Sequence, residues 1–231
     1  MGDLLKDIIN DFNPQKFVSF FREKNCRFAP RGGDLFHYDE EKFTSGAKLG
    51  EIEFPEGQAL VVCAFKSLNE LSERSSKKRQ YELARKILKT EMRYDAGIFI
   101  FYDDNGSFRF SLIYEIPLGR KRTFSSFKRF TYYVSKDQTN KTFLKQIGEG
   151  DFSSLEKVKE AFSVEKVTKE FYQEISNWYF WALKNVKFPD GAESEKNGRN
   201  IAVIRLITRL IFIWFMKQKA IVPGYLFDYE K

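Results

Sequence analysis

Two short apolar runs, Ala59–Lys66 (ALVVCAFK) and Ala96–Tyr102 (AGIFIFY), flank the charged stretch Ser72–Lys89 (SERSSKKRQYELARKILK), and this triplet constrains the fold more than any other feature. The outer runs are unbroken in Val, Ile and Phe, as strands buried on both faces are. Between them Tyr81, Ala84, Ile87 and Leu88 recur at helical spacing among Lys, Arg and Glu. Strand, helix, strand in that order predicts a parallel crossover, because two parallel strands need a long connection to return the chain to the same edge. A β-α-β unit is therefore expected as the core.

The flanking sequence dresses that unit. Leu4, Leu5, Ile8, Ile9 and Phe12 form one helical face, and Asn13-Pro14 opens a second helix carrying Phe17, Phe20 and Phe21. Leu35–Tyr38 is read as a short strand. Lys48–Phe54 pairs with the Ala59 strand through the turn Pro55-Glu56-Gly57-Gln58. Asp103-Asp104-Asn105-Gly106 predicts a tight hairpin, since Asn-Gly accepts positive φ; it resembles the start of a calcium loop but lacks the distal Glu. Phe108–Ile116 alternates Phe108, Phe110, Leu112 and Tyr114 against Arg109, Ser111 and Glu115, so an antiparallel strand follows. Pro117–Ser126 is read as a basic loop and Phe127–Ser135 as a further extended segment.

From about Asn140 the period becomes helical. Ser153-Ser154-Leu155-Glu156 has the form of a capping box, Val164–Ala182 a long amphipathic helix, and Lys187–Asn200 a polar loop. Ile201–Lys217 is apolar on nearly every side, which predicts a helix covered by neighbours. The expected organisation is an α/β domain over 1–135 and a helical region over 136–231, with more chain after Lys231 to cover that last helix.

Composition narrows the partners. Lys+Arg 39 against Asp+Glu 32 leaves a charge of +7, which suits a polyanion. The cations cluster as Lys77-Lys78-Arg79 at the start of the crossover helix, as Arg120-Lys121-Arg122 in the following loop, and as Lys128-Arg129. Phosphates are held by such side chains together with helix N-terminal amides, so the three clusters are expected to form one rim facing double-stranded DNA. Cys26 and Cys63 have no second Cys or His at metal-ligating spacing. Both are read as buried reduced thiols, which points to the cytoplasm. Arg205 and Arg209 interrupt the apolar run at 201–216, so no membrane span is expected. His37 is the lone histidine and no triad surrounds it. Trp178–Trp181 is read as aromatic packing on a helix. No Gly-x-Gly-x-x-Gly or Gly-Lys-Ser/Thr loop is present, which argues against a dinucleotide or ATP enzyme.

The order of helix, hairpin, central strand, crossover helix and strand resembles the PD-(D/E)XK nuclease core. In that family a carboxylate on the second strand and an acid-x-Lys pair ending the third hold Mg²⁺, and the Lys positions the attacking water. The third strand here ends Ala64-Phe65-Lys66, with the Lys in place and Ala at the acid. Carried over by the resemblance, Lys66 would position water, Glu51 or Glu53 would supply the second-strand carboxylate, and Glu73 or Glu82 would replace the missing acid.

At LSERSSKKRQYELARKIL, AGIFIFYDDNGSFRFSLIY, KRFTYYVSKDQTNKTFLKQI and SVEKVTKEFYQEISNWYFWAL the chain resembles the amino-terminal region of type IIG restriction-modification enzymes and related adenine-specific DNA methyltransferases, and RLITRLIFIWFMKQKAIV is similar to their helical spacer. The resemblance implies a restriction-endonuclease-like α/β (or α+β) core with a mixed sheet followed by an all-α spacer. It also implies methyltransferase and target-recognition domains further along. This chain has no Asn-Pro-Pro-Tyr motif and no glycine-rich cofactor loop, so S-adenosylmethionine would be bound by that following methyltransferase domain. A non-catalytic scaffold that docks such a domain is the alternative expectation.

Overall fold

The computed structural model of the protein describes residues 2–118, 121–126, 130–189, 191, 197–219 and 221–227. In chain order these form α1 (Gly2–Asn10), α2 (Lys16–Lys24), β1 (Phe28–Ala29), β2 (Gly33–Asp34), β3 (Phe43–Glu53), β4 (Ala59–Ser67), α3 (Lys77–Thr90), β5 (Ala96–Tyr102), β6 (Phe108–Leu118), β7 (Lys121–Phe124), β8 (Thr131–Val134), α4 (Lys141–Glu149), α5 (Leu155–Phe162), α6 (Val164–Asn185) and α7 (Gly198–Gln218). Two compact units result, Met1–Val164 and Glu165–Lys231.

The first unit is a mixed α/β domain around an eight-stranded sheet. Its path is β1-β3-β4-β5-β6-β7, with β2 also pairing β3 and β8 also pairing β6. β4 and β5 are parallel, in register from Leu60↔Ala96 to Lys66↔Tyr102, and α3 is the crossover between them. The other pairs are antiparallel. β4 and β5 are buried on both faces, and their alternation sorts the core. Leu60, Val62, Ala64, Ile98 and Ile100 face the layer of α1, α2, α4 and α5, while Val61, Cys63, Phe65, Phe99 and Phe101 pack with Leu83, Ala84, Ile87 and Leu88 of α3.

Four readings of the sequence change. Leu35–Tyr38 is not a strand: Phe36–Tyr38 is a single 3₁₀ turn that buries Tyr38 and leaves Phe36 60% exposed, whereas a strand would put both on one face. Pro117–Ser126 is not simply a loop. β6 runs on to Leu118 and β7 pairs back with it, Glu115 opposite Phe124, with Pro117 tolerated near the sheet edge. The helices over 141–162 belong with the sheet, because Phe143, Ile147, Leu155, Val158 and Phe162 join its core. Burying each such side chain stabilises by roughly 1.5–3 kcal/mol, and this places the unit boundary after Val164 rather than at 135. Finally, Cys63 is buried but Cys26 is exposed; burial pushes the Cys63 thiol up to about 12, so it is inert at neutral pH.

In the second unit α6 and α7 meet through Ala182, Val203 and Ile207, packed with Ile175, Tyr179, Leu183, Val186 and Phe188. The apolar surround of α7 is not covered within this unit: Ile204, Phe212, Trp214 and Phe215 are each about half exposed or more. No helix among the described residues is long and apolar enough to cross a membrane.

One close approach in the sheet is testable. A Cβ added at Gly50 would lie 2.3 Å from the Phe28 ring and 2.6 Å from the Ala29 carbonyl oxygen, and that oxygen belongs to the strand pairing β3. Gly50→Ala should therefore cost about 1–3 kcal/mol. The check is a lower urea midpoint at unchanged slope; an unchanged midpoint would show that β1 yields freely.

Candidate functional site

Glu51 sits on β3 and is only 2% exposed, a position a carboxylate tolerates only when its charge is matched. Four donors match it. The Lys48 ammonium and the Arg93 guanidinium donate to Oε2, the Tyr94 hydroxyl donates to Oε2 at 2.6 Å, and Arg31 Nη1 donates to Oε1 at 3.1 Å. Burial alone would raise the Glu51 pKa, but these bonds from Lys48, Tyr94 and Arg93 outweigh it and hold the carboxyl down at about 2. Glu51 is a structural hub, with its oxygens engaged by protein donors. Arg93 and Tyr94 lie just before β5 and carry no chemical motif, so the sequence offered no sign of this cluster.

Lys66 is elsewhere. It pairs with Thr44 in the β3–β4 ladder while Glu51 pairs with Val61. Five residue steps along β4 separate the two rows, roughly 17 Å at the rise of a strand. The Lys66 ammonium instead donates to Asp104 Oδ1 at 2.6 Å, and that hydrogen bond raises its pKa. Glu53 is exposed at the end of β3, and Glu82 is exposed on α3, 3.9 Å from the Lys78 ammonium. Glu73 is exposed too, and its backbone carbonyl rather than its carboxylate is used, by Arg109. The expected metal set of Glu51, Glu53 and Glu82 around Lys66 is therefore not assembled. Among the described residues no three His, Cys, Asp or Glu side chains come together that could hold a metal ion, so the sequence-based Mg²⁺ site has no ligand cage here.

The predicted cationic rim also divides. Arg122 lies at the far end of α3: it donates to the Leu88 and Tyr94 carbonyls at 2.8 and 2.7 Å and pairs with Glu115 at 2.5 Å. It caps the C-terminus of that helix, where a cation complements the dipole, and is roughly 16 Å along the axis from Lys77 at helical rise. Lys121 opens β7 but its side chain, like Arg120, Lys128 and Arg129 altogether, lies outside the described residues. At the N-terminus of α3, by contrast, Lys77, Lys78 and Arg79 come together with Lys42, from the turn before β3, and Arg74 around one open concavity. Lys42 and Arg74 carried no signal in the sequence as part of a cluster.

The segment bearing this rim is built with care. The Leu71 amide donates to the buried Asp103 carboxylate at 2.7 Å, and the Tyr133 hydroxyl donates to the Leu71 carbonyl at 3.0 Å. Arg109, 2% exposed on β6, donates to the carbonyls of Ser72, Glu73 and Ser75 at 2.6, 3.2 and 2.7 Å and to Gln80 Oε1 at 2.5 Å. Ser76 then enters the helix with φ of 54° and makes no side-chain cap. The first turn of α3 holds three cations and no acid, against the preference of a helix dipole for negative charge there. An anion at this place would meet the N-terminal amides of α3 and the cationic side chains of Lys42, Arg74, Lys77, Lys78 and Arg79.

No family model matches the chain, and no curated protein matches it. Among solved structures, the crystal structure of a Methanococcus jannaschii putative family II inorganic pyrophosphatase is similar at 13% identity, over 52% of this chain and 33% of that one, with a TM-score of 0.24. The chain thus spans a third of that protein's length, and a likeness of this grade carries no argument about fold or activity.

Proposed function

We propose that the first unit binds the phosphate backbone of double-stranded DNA through the N-terminus of α3 without cleaving it, as the nuclease-like amino-terminal part of a restriction-modification enzyme. The observation that carries this reading is the first turn of α3: three cations and no acid, joined by Lys42 and Arg74 around one concavity. Cations at that end oppose the dipole by a few tenths to about 1 kcal/mol each, a cost that a bound phosphate reverses. The non-hydrolytic part rests on Glu51, whose oxygens are taken by Lys48, Tyr94, Arg93 and Arg31. Mg²⁺-dependent nicking of supercoiled plasmid by the chain, lost in Lys66→Ala, would overturn it. A cytoplasmic location belongs to the same proposal.

The reading makes two measurements move in opposite senses. Lys78 and Arg79 are exposed, so replacing them as Lys78→Gln with Arg79→Glu leaves the core untouched and relieves the helix dipole. Duplex affinity at low salt should fall by roughly 10- to 100-fold, since two phosphate contacts are lost, while the thermal midpoint holds or rises slightly. Unchanged affinity at unchanged stability would remove the α3 terminus from the interface.

A second reading concerns the second unit. Phe180, Trp181, Phe212, Trp214 and Phe215 are exposed on α6 and α7, and clustered exposed apolar side chains mark interaction surfaces. This favours docking of a following protein domain, such as a methyltransferase that itself binds S-adenosylmethionine, and it is compatible with DNA contact by the first unit.

A further inference from the structure

Behind the cationic rim, between α3 and β6, lies a small cavity lined by Lys77, Gln80, Tyr81, Phe101, Arg109 and Ser111 among others, with room for about one water-sized sphere, about 10 Å³. Two features of its lining are unusual together. Gln80 Nε2 and Arg109 Nε are buried donors with no acceptor, on side chains that are 3% and 2% exposed. Native structures seldom leave such groups unpaired. In addition, two positive charges share the cavity, the buried Arg109 guanidinium and the half-buried Lys77 ammonium, and among the described residues neither forms an ion pair with a carboxylate. The acceptors around Arg109 are backbone carbonyls and the Gln80 amide oxygen, which carry no formal charge. The one carboxylate among the described residues that acts on both cations, Glu73, is exposed to solvent and forms no ion pair with either, and buried positive charge matched only by a screened partner is costly in a protein interior.

We infer that a single-atom anion, chloride in ordinary salt solutions, occupies this cavity and accepts hydrogen bonds from Gln80 and Arg109 beside the Lys77 charge. Among anions, size restricts the ligand to a monatomic ion, because phosphate and sulfate exceed the space. The direction of the Lys77 pKa agrees: burial and then the nearby Arg109 charge lower it, and the exposed Glu73 carboxylate does not make up the difference. Since Arg109 also holds the carbonyls of Ser72, Glu73 and Ser75, the ion would fix the segment that leads into α3. The inference stands apart from the DNA reading and is tested without DNA.

The test is unfolding of the full chain at constant ionic strength while sodium gluconate is exchanged for sodium chloride or bromide. An ion bound only by the native state shifts the native-to-unfolded ratio about tenfold for each tenfold rise in halide above its dissociation constant. Gln80→Glu puts a fixed carboxylate beside Arg109 and should abolish that dependence. Equal stability in chloride and gluconate would mean that the cavity holds water and would overturn the proposal, as would a halide dependence that survives Gln80→Glu, since the ion would then bind elsewhere. Should Gln80→Glu fail to fold, crystals grown in bromide decide the matter: an anomalous peak between Gln80 and Arg109 supports the site and its absence overturns it.

Discussion

Glu51→Gln is expected to lower the stability of the first unit by about 2–3 kcal/mol at neutral pH. The carboxyl is held at about 2 against an ordinary value of 4.5, a difference worth about 3 kcal/mol. Part of it is discounted because Arg31 and Arg93 are 70% and 52% exposed, so their share is screened by water. The amide keeps the volume but leaves Lys48, 19% exposed, without its counter-charge. The same argument fixes the pH dependence. The folded chain binds this proton less tightly than the unfolded chain, so the stabilisation is complete above about pH 5 and is lost as pH falls through about 2. Denaturant melts between pH 7 and pH 2 check both points: the wild type should lose this increment on acidification and Glu51→Gln should have none to lose. A variant as stable as wild type at pH 7 would mean the cluster contributes nothing.

Arg109→Ala should be the most damaging single change in the sheet, at about 3–5 kcal/mol. It strips the donors from three part-buried backbone carbonyls and from the buried Gln80 side chain at once; a hydrogen bond from a charged group is worth about 1.5–3 kcal/mol and a buried acceptor left unpaired costs about 1–3 kcal/mol, with the carbonyls at the lower end because water reaches them. The loss is partly offset by removing a guanidinium whose pKa burial has lowered to about 10. Arg109→Lys should recover only part, because an ammonium cannot serve acceptors spread across a planar fork. Amide exchange separates this from general destabilisation: in Arg109→Lys, protection should fall first over residues 71–80, ahead of β4 and β5. Loss spread evenly over the sheet would contradict the assignment.

Much of the fold was legible because the period of β4 and β5 leaves one arrangement for strands that are apolar on both sides. The Asn105-Gly106 turn fixed the next hairpin, with Gly106 at φ of 75° as such turns require. The site was less legible, and particular residues show why. Arg109 alternates with Phe108 and Phe110 as a solvent-facing residue would, yet α3 covers that face of β6 and turns a polar position into a buried clamp. Glu51 looked like a metal ligand because its type and strand were right; its partners Arg93 and Tyr94 lie 42 and 43 residues away, and no local pattern announces them. Arg122 reads as a phosphate contact beside its basic neighbours but is drawn inward by the Leu88 and Tyr94 carbonyls. Local sequence thus reported the strands well and the tertiary use of single charges poorly.

The most direct measurement is the affinity of the 231-residue chain for a short DNA duplex, followed by fluorescence anisotropy over a salt series at fixed pH. Contact through three to five of the cations around the α3 terminus should give a linear fall of log affinity against log salt with a slope of roughly −3 to −5. Absence of binding even at low salt would contradict the central claim, and would leave the chain as a scaffold whose exposed α6 and α7 surfaces serve protein partners.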